Sequence, residues 1–282
     1  MTAALSPRSL AEALRWFGDE PSSKLVAGCT DLMVADTLRR SEMPRVIDLL
    51  SVPGLADVHD TGAFLEMGAT ATFAALGQNA VIRQCFPALS DAARAVGGWQ
   101  IQARATIGGN IANASPAGDS PPVLLALDAT VVAASTAGER EIPYDQFHVA
   151  YRKTALRPGE LVRAVRLPWP VPGSRQAFRK VGTRAAQAIS KIAVAMSVRI
   201  EAGRIVEARI GAGSVAATPI RLRAAETAAI ANAVSEALAT AVGKAAASEV
   251  RPIDDVRSTA EYRSFALERV ARRLVLELGG LS

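Results

Sequence analysis

The sequence predicts an α+β protein of two domains, residues 1–172 and 173–282. Three observations predict it. At 282 residues the chain exceeds one ordinary small domain and accommodates two. Its first part alternates short strands with helices, whereas its second part opens on long strand-like runs and closes on helices, the order expected of an antiparallel sheet with helices on one face. Between the two styles lies Pro168-Trp169-Pro170-Val171-Pro172-Gly173, a proline-rich break.

Ser9-Leu10-Ala11-Glu12 reads as a capping box that opens a helix through Trp16. A strand at 24–27, a turn, a helix from about Leu32 to Arg40 and a strand at 45–49 then make a small strand–helix–strand unit, a subdomain of about 1–55. The second subdomain, about 56–172, begins with a strand at 64–69, a helix at 72–78 and a helix at 88–96 stopped by Gly97-Gly98. Residues 103–107 are expected to be extended and to break at Gly108-Gly109 into a polar loop reaching Asp119-Ser120. A helix then starts at Pro121, a favoured first helical position for proline, and strands follow at 130–134 and 161–167. In the second domain, strands at 189–201 and 204–210 join at Ala202-Gly203 as a hairpin. Two or three helices fill about 220–278, with a break near Arg251-Pro252.

Composition excludes several functions. Half the residues are hydrophobic and 21% charged, the balance of a globular protein. No stretch reaches the roughly 18–20 uninterrupted apolar residues that span a bilayer. Met1 to Arg15 contains no apolar segment of the secretory kind, so a cytoplasmic location is expected. The formal charge of +5 is scattered; Arg39-Arg40 and Arg272-Arg273 close amphipathic stretches, where cations suit the helix dipole. Basic residues are not interleaved with aromatics, so nucleic acid is not an expected partner. Cys29, Cys85, His59 and His148 are the only cysteines and histidines, and they show neither metal-ligand spacing nor the four ligands of an iron–sulfur cluster. Any metal centre must therefore lie on another chain.

Two glycine segments carry the chemistry. Lys24-Leu25-Val26-Ala27-Gly28-Cys29-Thr30-Asp31 places a tight small-residue turn between a strand and a helix start, where free amides collect an anion. Thr30 adds a hydroxyl, while Asp31 suits a helix cap facing away; taken alone, the segment reads first as an ordinary strand-to-helix turn. Thr106-Ile107-Gly108-Gly109-Asn110-Ile111-Ala112-Asn113 is expected to expose amides at the double glycine, and hydroxyl, amide and carboxylate side chains continue to Asp119 and Ser120. Such a run suits a ligand with phosphates at one end and hydroxyls along its length; a long structural loop is the alternative. Gly211-Ala212-Gly213-Ser214-Val215-Ala216 matches a dinucleotide-binding pattern, but no second strand and acidic residue follow at the required spacing, so it reads as a strand end.

Here the chain resembles the FAD subunits of molybdenum hydroxylases, whose flavin domain shares the broad fold of vanillyl-alcohol oxidase. The resemblance rests on Ala27-Gly28-Cys29-Thr30-Asp31, on Thr106-Ile107-Gly108-Gly109-Asn110, and on Ser115-Pro116 followed by Asp119 and Pro122. It continues through Tyr151-Arg152-Lys153-Thr154, Phe178 to Arg184 and Asp254 to Arg263. The form around Ser115 favours the xanthine dehydrogenase branch over the carbon monoxide dehydrogenase branch. Cys29 departs from the family's usual glycine and reads as a space-filler near the pyrophosphate.

The resemblance implies a two-subdomain FAD-binding domain and a smaller C-terminal flavoprotein domain, with FAD held non-covalently. It implies that Lys24 to Asp31 wrap the pyrophosphate, helped by Gly108, Gly109 and Asn110. Thr106, Asn113 and Asp119 would hydrogen-bond phosphate and hydroxyl groups, Ala112 would lie near the flavin ring, and Val162 and Lys180 would line the far end. It further implies a large molybdopterin-binding partner and a small partner carrying [2Fe–2S] clusters, arranged as a heterotrimer, with NAD or oxygen as acceptor. The alternatives are the flavin subunit of a carbon monoxide, aldehyde or N-heterocycle dehydrogenase, a free-standing flavin oxidase, for which the second domain is small, and a scaffold that has lost its flavin.

Overall fold

The computed structural model describes residues 4–34 and 45–281. Strand β1 (Ala4–Leu5) leads to helix α1 (Leu10–Asp19), whose first turn is capped by Ser9 Oγ accepting from the Glu12 amide at 3.1 Å. The reciprocal bond of the box closes one residue earlier than expected: Glu12 Oε2 accepts from the Arg8 amide at 2.7 Å. Strands β2 (Lys24–Val26) and β3 (Val46–Asp48) run parallel, as a strand–helix–strand unit requires, and β1 completes the sheet in the order β1-β3-β2. Leu32 to Val34 are helical, and the rest of the helix expected to Arg40 lies outside the described residues.

The second subdomain is an antiparallel five-stranded sheet. Its strands are β4 (Val58–Asp60), β5 (Phe64–Gly68), β6 (Thr130–Ser135), β7 (Gly138–Pro143) and, beyond a short hairpin of β8 (His148–Ala150) and β9 (Lys153–Thr154), β10 (Leu161–Pro168). The order is β4-β5-β10-β6-β7. Helices α2 (Phe73–Gln78), α3 (Ala80–Cys85), α4 (Pro87–Ala95), α5 (Trp99–Gln102), α6 (Ile107–Ala112) and α7 (Ser120–Ala126) intervene in the chain. Phe73, Leu76, Leu89, Ile107, Ile111 and Leu124 from these helices share one core with Met67, Val131 and Val165 of the sheet.

The opposite face of the sheet is charged. Glu66, whose side chain is 6% exposed, is gripped by Arg163 and Arg166, which also reach Glu139 and Glu141 from the edge strand β7. Hydrogen bonds from Arg163 lead the forces that hold the Glu66 carboxyl down at about 2, against an ordinary value of 4.5. A carboxyl lowered on folding stabilises the fold above its unfolded value and loses that contribution as pH falls from about 4.5 toward 2. The contribution is at most about 3 kcal/mol, less what solvent screens at this open face. Urea midpoints recorded from pH 6 to pH 3 should fall more steeply for the wild type than for Glu66→Gln; equal slopes would refute the assignment.

The second domain begins at β11 (Ser174–Val181) and continues through β12 (Ile192–Glu201), β13 (Arg204–Gly213) and the short β14 (Ile220–Arg221), paired in that order. Ala202 (φ 47°) and Gly203 (φ 75°) form the expected two-residue turn between β12 and β13, both left-handed as that turn demands. Ile192, Val194, Met196 and Val198 pack against α8 (Arg223–Ala229), α9 (Glu236–Glu249) and α10 (Ala260–Gly279). The alternate residues Ala193 and Ala195 face the other way, into the core of the first domain. The sheet thus has its own helices on one face and α4 and α7 of the first domain on the other. Gly211 and Gly213 make that contact possible, since a Cβ at Gly211 would sit 2.1 Å from Pro122 O and one at Gly213 3.0 Å from Pro122 Cγ. The glycine-rich end of β13 is a packing surface.

One local expectation fails. Residues 103–106 turn between α5 and α6, with Thr106 alone bridging to Thr72, and Gly108-Gly109 lie inside α6 and open no loop. Thr106 caps α6, and Ile107 and Ile111, one turn apart and fully buried, anchor it to the core despite two glycines in its first turn. Among the described residues no helix is long and apolar enough to cross a membrane.

Candidate functional site

The two glycine segments meet. A Cβ on Gly28 would lie 1.8 Å from the Arg104 carbonyl oxygen and 3.0 Å from the Ala105 amide nitrogen, so only glycine lets the 27–31 turn rest on the backbone leading into α6. Lys24 is exposed, Leu25 and Val26 are half-buried, and Val26 pairs with Asp48 before the turn begins. Cys29 follows at φ 59°, the left-handed region in which glycine is the easy occupant. Its thiol lies 3.3 Å from the Ala27 carbonyl oxygen, and burial, with help from Asp48 and opposed by Arg104, pushes its pKa up. Cys29 is therefore a protonated thiol folded back on its own turn.

What the turn leaves free matters more. The amides of Gly28, Cys29, Thr30 and Asp31 donate to no acceptor among the described residues, and the Thr30 hydroxyl and the Asp31 carboxylate are likewise without partners there. Four successive amides and a hydroxyl form a donor set suited to phosphate oxygens.

The double glycine behaves differently, and here the sequence-based expectation is corrected. The amide of Gly108 donates to Ala69 O at 2.9 Å and that of Gly109 to Thr106 Oγ1 at 3.1 Å. The amides of Ile107 and Asn110 are also taken, by Ala71 O and Thr106 O. Gly108 serves close packing, since its Cβ would meet the Ala69 Cβ at 2.6 Å. Gly109 is exposed, and Thr106, 2% exposed, spends its hydroxyl oxygen as the cap. Asn110 Oδ1 accepts from Ser120 Oγ at 2.7 Å, Ala112 is exposed, and Asn113 Oδ1 accepts from Arg152 Nη1 at 3.3 Å. Val162, 5% exposed, lies in the core that carries Ile107 and Ile111, so it supports α6 and lines no open surface.

Two further residues, neither among the expected site residues, brace α6 from the β8–β9 hairpin. His148 Nε2 is 2.8 Å from Ile111 O, and a carbonyl only accepts, so Nε2 carries the proton. Burial lowers the His148 pKa, partly countered by that bond, which keeps the ring neutral at pH 7. Arg152, at φ 52°, holds Asn113. Nothing in the local sequence pairs either with α6, because the contacts cross the whole 113–148 interval.

Asp119 and Lys180 come together as an ion pair, which the sequence does not foretell. Lys180 Nζ lies 2.7 Å from Asp119 Oδ2 and 2.8 Å from Ala95 O, and Ser190 Oγ donates to Asp119 Oδ1 at 2.6 Å. Both carboxylate oxygens have protein donors, so Asp119 acts as a buried tie between the domains. Burial pushes its pKa up, against the pull of Lys180. The network continues through Ser214 Oγ to Ser190 O and through Arg263, whose guanidinium bonds Ser214 O at 2.7 Å and Asp255 Oδ1 at 2.7 Å.

Comparison with known proteins agrees with this architecture. Residues 1–170 match the family model for the FAD binding domain in molybdopterin dehydrogenase, and residues 176–278 match that for the CO dehydrogenase flavoprotein C-terminal domain. The chain is 33% identical over 266 residues to subunit alpha of the 6-hydroxypseudooxynicotine dehydrogenase complex of Paenarthrobacter nicotinovorans, covering 94% of this chain and 90% of that one. It is 29% identical over 272 residues to a putative xanthine dehydrogenase FAD-binding subunit of Escherichia coli, covering 95% and 93%. Among solved structures, a chain of the Hydrogenophaga pseudoflava carbon monoxide dehydrogenase lacking the Mo-pyranopterin moiety superimposes with a TM-score of 0.92 at 27% identity, covering 96% of this chain and 95% of that one.

Proposed function

Because the chain belongs to the FAD-binding subunit family of the molybdopterin dehydrogenases, with FAD as the cofactor of its first domain, we propose that it is the electron-relay subunit of a xanthine dehydrogenase-like molybdenum hydroxylase. The observation that carries the reading is the row of amides from Gly28 to Asp31, unpartnered among the described residues and set by Gly28 against the backbone leading into α6. This row would hold the pyrophosphate, with Lys24 and the exposed Gly109 at its edge, while α6, braced by His148 and Arg152, positions Ala112 beside the flavin.

Bound FAD supplies an adaptor between one-electron and two-electron transfer. The protein's part is to bind and orient it without acid–base chemistry of its own. Partner chains would supply the molybdenum cofactor and [2Fe–2S] clusters, and NAD is the proposed acceptor. An oxidised N-heterocycle of the xanthine kind is supported by the form of the Ser115–Pro122 segment and by the relatives named for xanthine and 6-hydroxypseudooxynicotine. The proposed domains are residues 1–172 and 173–282, and a cytoplasmic setting accompanies the assignment.

The purified chain should take up one FAD, released intact by heat or acid, and should oxidise no heterocycle until its partners are added. A colourless chain that refuses FAD would overturn the relay role; turnover by the metal-free chain alone would replace it with a self-sufficient oxidase.

A further inference from the structure

We infer that Arg104 is the cation that neutralises the cofactor's phosphates. The inference rests on the proposal that FAD binds at the Gly28 turn, and it concerns a residue that no motif marks.

Three observations lead to it. First, position: the carbonyl of Arg104 itself is what the missing Cβ of Gly28 makes room for, so this residue is in direct contact with the turn. Second, availability: the Arg104 guanidinium is exposed and makes no hydrogen bond, ion pair or ring contact among the described residues. Its positive charge is already felt across the contact, where it opposes the rise in the Cys29 pKa. Third, need: the Asp48 carboxylate lies within electrostatic reach of the turn, where it helps to raise the Cys29 pKa. Four amides offer hydrogen bonds but no net charge. A pyrophosphate brought beside that carboxylate gains from a cation that offsets repulsion and lost hydration. A guanidinium supplies that charge with a planar fork of donors matched to phosphate oxygens. Arg152, the other arginine beside α6, is committed to Asn113.

The test is FAD affinity of the full chain, read by flavin fluorescence over a salt series, for wild type, Arg104→Gln and Arg104→Lys. Arg104→Gln is expected to weaken FAD binding about 10- to 100-fold at low salt, the loss of one charged hydrogen-bonding partner. It should also flatten the salt dependence, because the screened charge is gone. Arg104→Lys should retain the salt slope with intermediate affinity, which guards against a folding defect in the glutamine variant. The absorption spectrum of bound flavin should be the same in all three, since the change lies at the phosphate end. Wild-type affinity and salt slope in Arg104→Gln would overturn the inference, as would weakened binding with an unchanged slope. A wild type that binds no FAD would instead overturn the flavin site on which the inference stands.

Discussion

Replacing Lys180 by methionine is expected to cost the fold about 3–5 kcal/mol, the penalty of leaving one partner of a buried ion pair alone. Both side chains are well shielded, at 13% and 9% exposure, and the lysine also satisfies the Ala95 carbonyl at the end of α4. Without the ammonium, Asp119 keeps only the Ser190 hydroxyl, and burial, which already raises its pKa, goes unopposed. The carboxyl would then take up a proton on folding. A carboxyl whose folded pKa lies above its unfolded one destabilises increasingly as pH rises, so the deficit of Lys180→Met should be larger at pH 8 than at pH 5. Pairing it with Asp119→Asn should recover much of the loss, because the double variant buries no lone charge. Urea denaturation of the three proteins at both pH values measures this. A deficit below about 1 kcal/mol at pH 8 would mean that the pair is not shielded from water as described.

The second large effect falls on cofactor binding. Gly28→Ala puts a methyl group 1.8 Å from the Arg104 carbonyl oxygen, well inside any real contact, and the obstacle is backbone on both sides. The turn must lift off the segment that leads into α6. Core packing is little affected, because the turn itself is only half-buried. The four amides, however, lose their common aim, and FAD affinity should fall at least about tenfold, roughly 1.4 kcal/mol. Isothermal titration with FAD, beside a melting curve to show that the fold survives, decides it. Undiminished binding would show that the turn can be displaced without consequence.

How much of this was legible in the sequence depends on where the stabilising contacts lie. Ser9 and Thr72 announce their helices because a capping hydroxyl and the amide it serves are three residues apart. The Ala202-Gly203 hairpin is equally local. Strands β7 and β11 went unseen because Gly138–Pro143 and Ser174–Val181 carry charged and polar side chains, and their stability comes from partners far along the chain. Helix α6 defied its own composition: two glycines cost about 1 kcal/mol each in a helix, yet burial of Ile107 and Ile111 outweighs them. The same distance effect governs the site. Gly28, Gly108, Asp119 and Lys180 are all recognisable as special residues, but the sequence gives no sign that the Gly108 amide is answered by Ala69 or that Asp119 finds Lys180. Of the two glycine segments, the one that reads as the weaker signal holds the free donors.

The packing of β12 has an implication for how such a chain can be taken apart. Two family descriptions tile it almost end to end, as though a gene could be cut near Gly173 and each half handed to a new context. Yet Ala193 and Ala195 belong to the core of the first half while Ile192, Val194 and Met196, on the same strand, belong to that of the second. Severing there would strip α4 and α7 of their cover and expose a flat small-residue sheet face, so each fragment would carry half of a joint rather than a surface. The two regions are separable as units of inheritance, yet one strand serves the core of both.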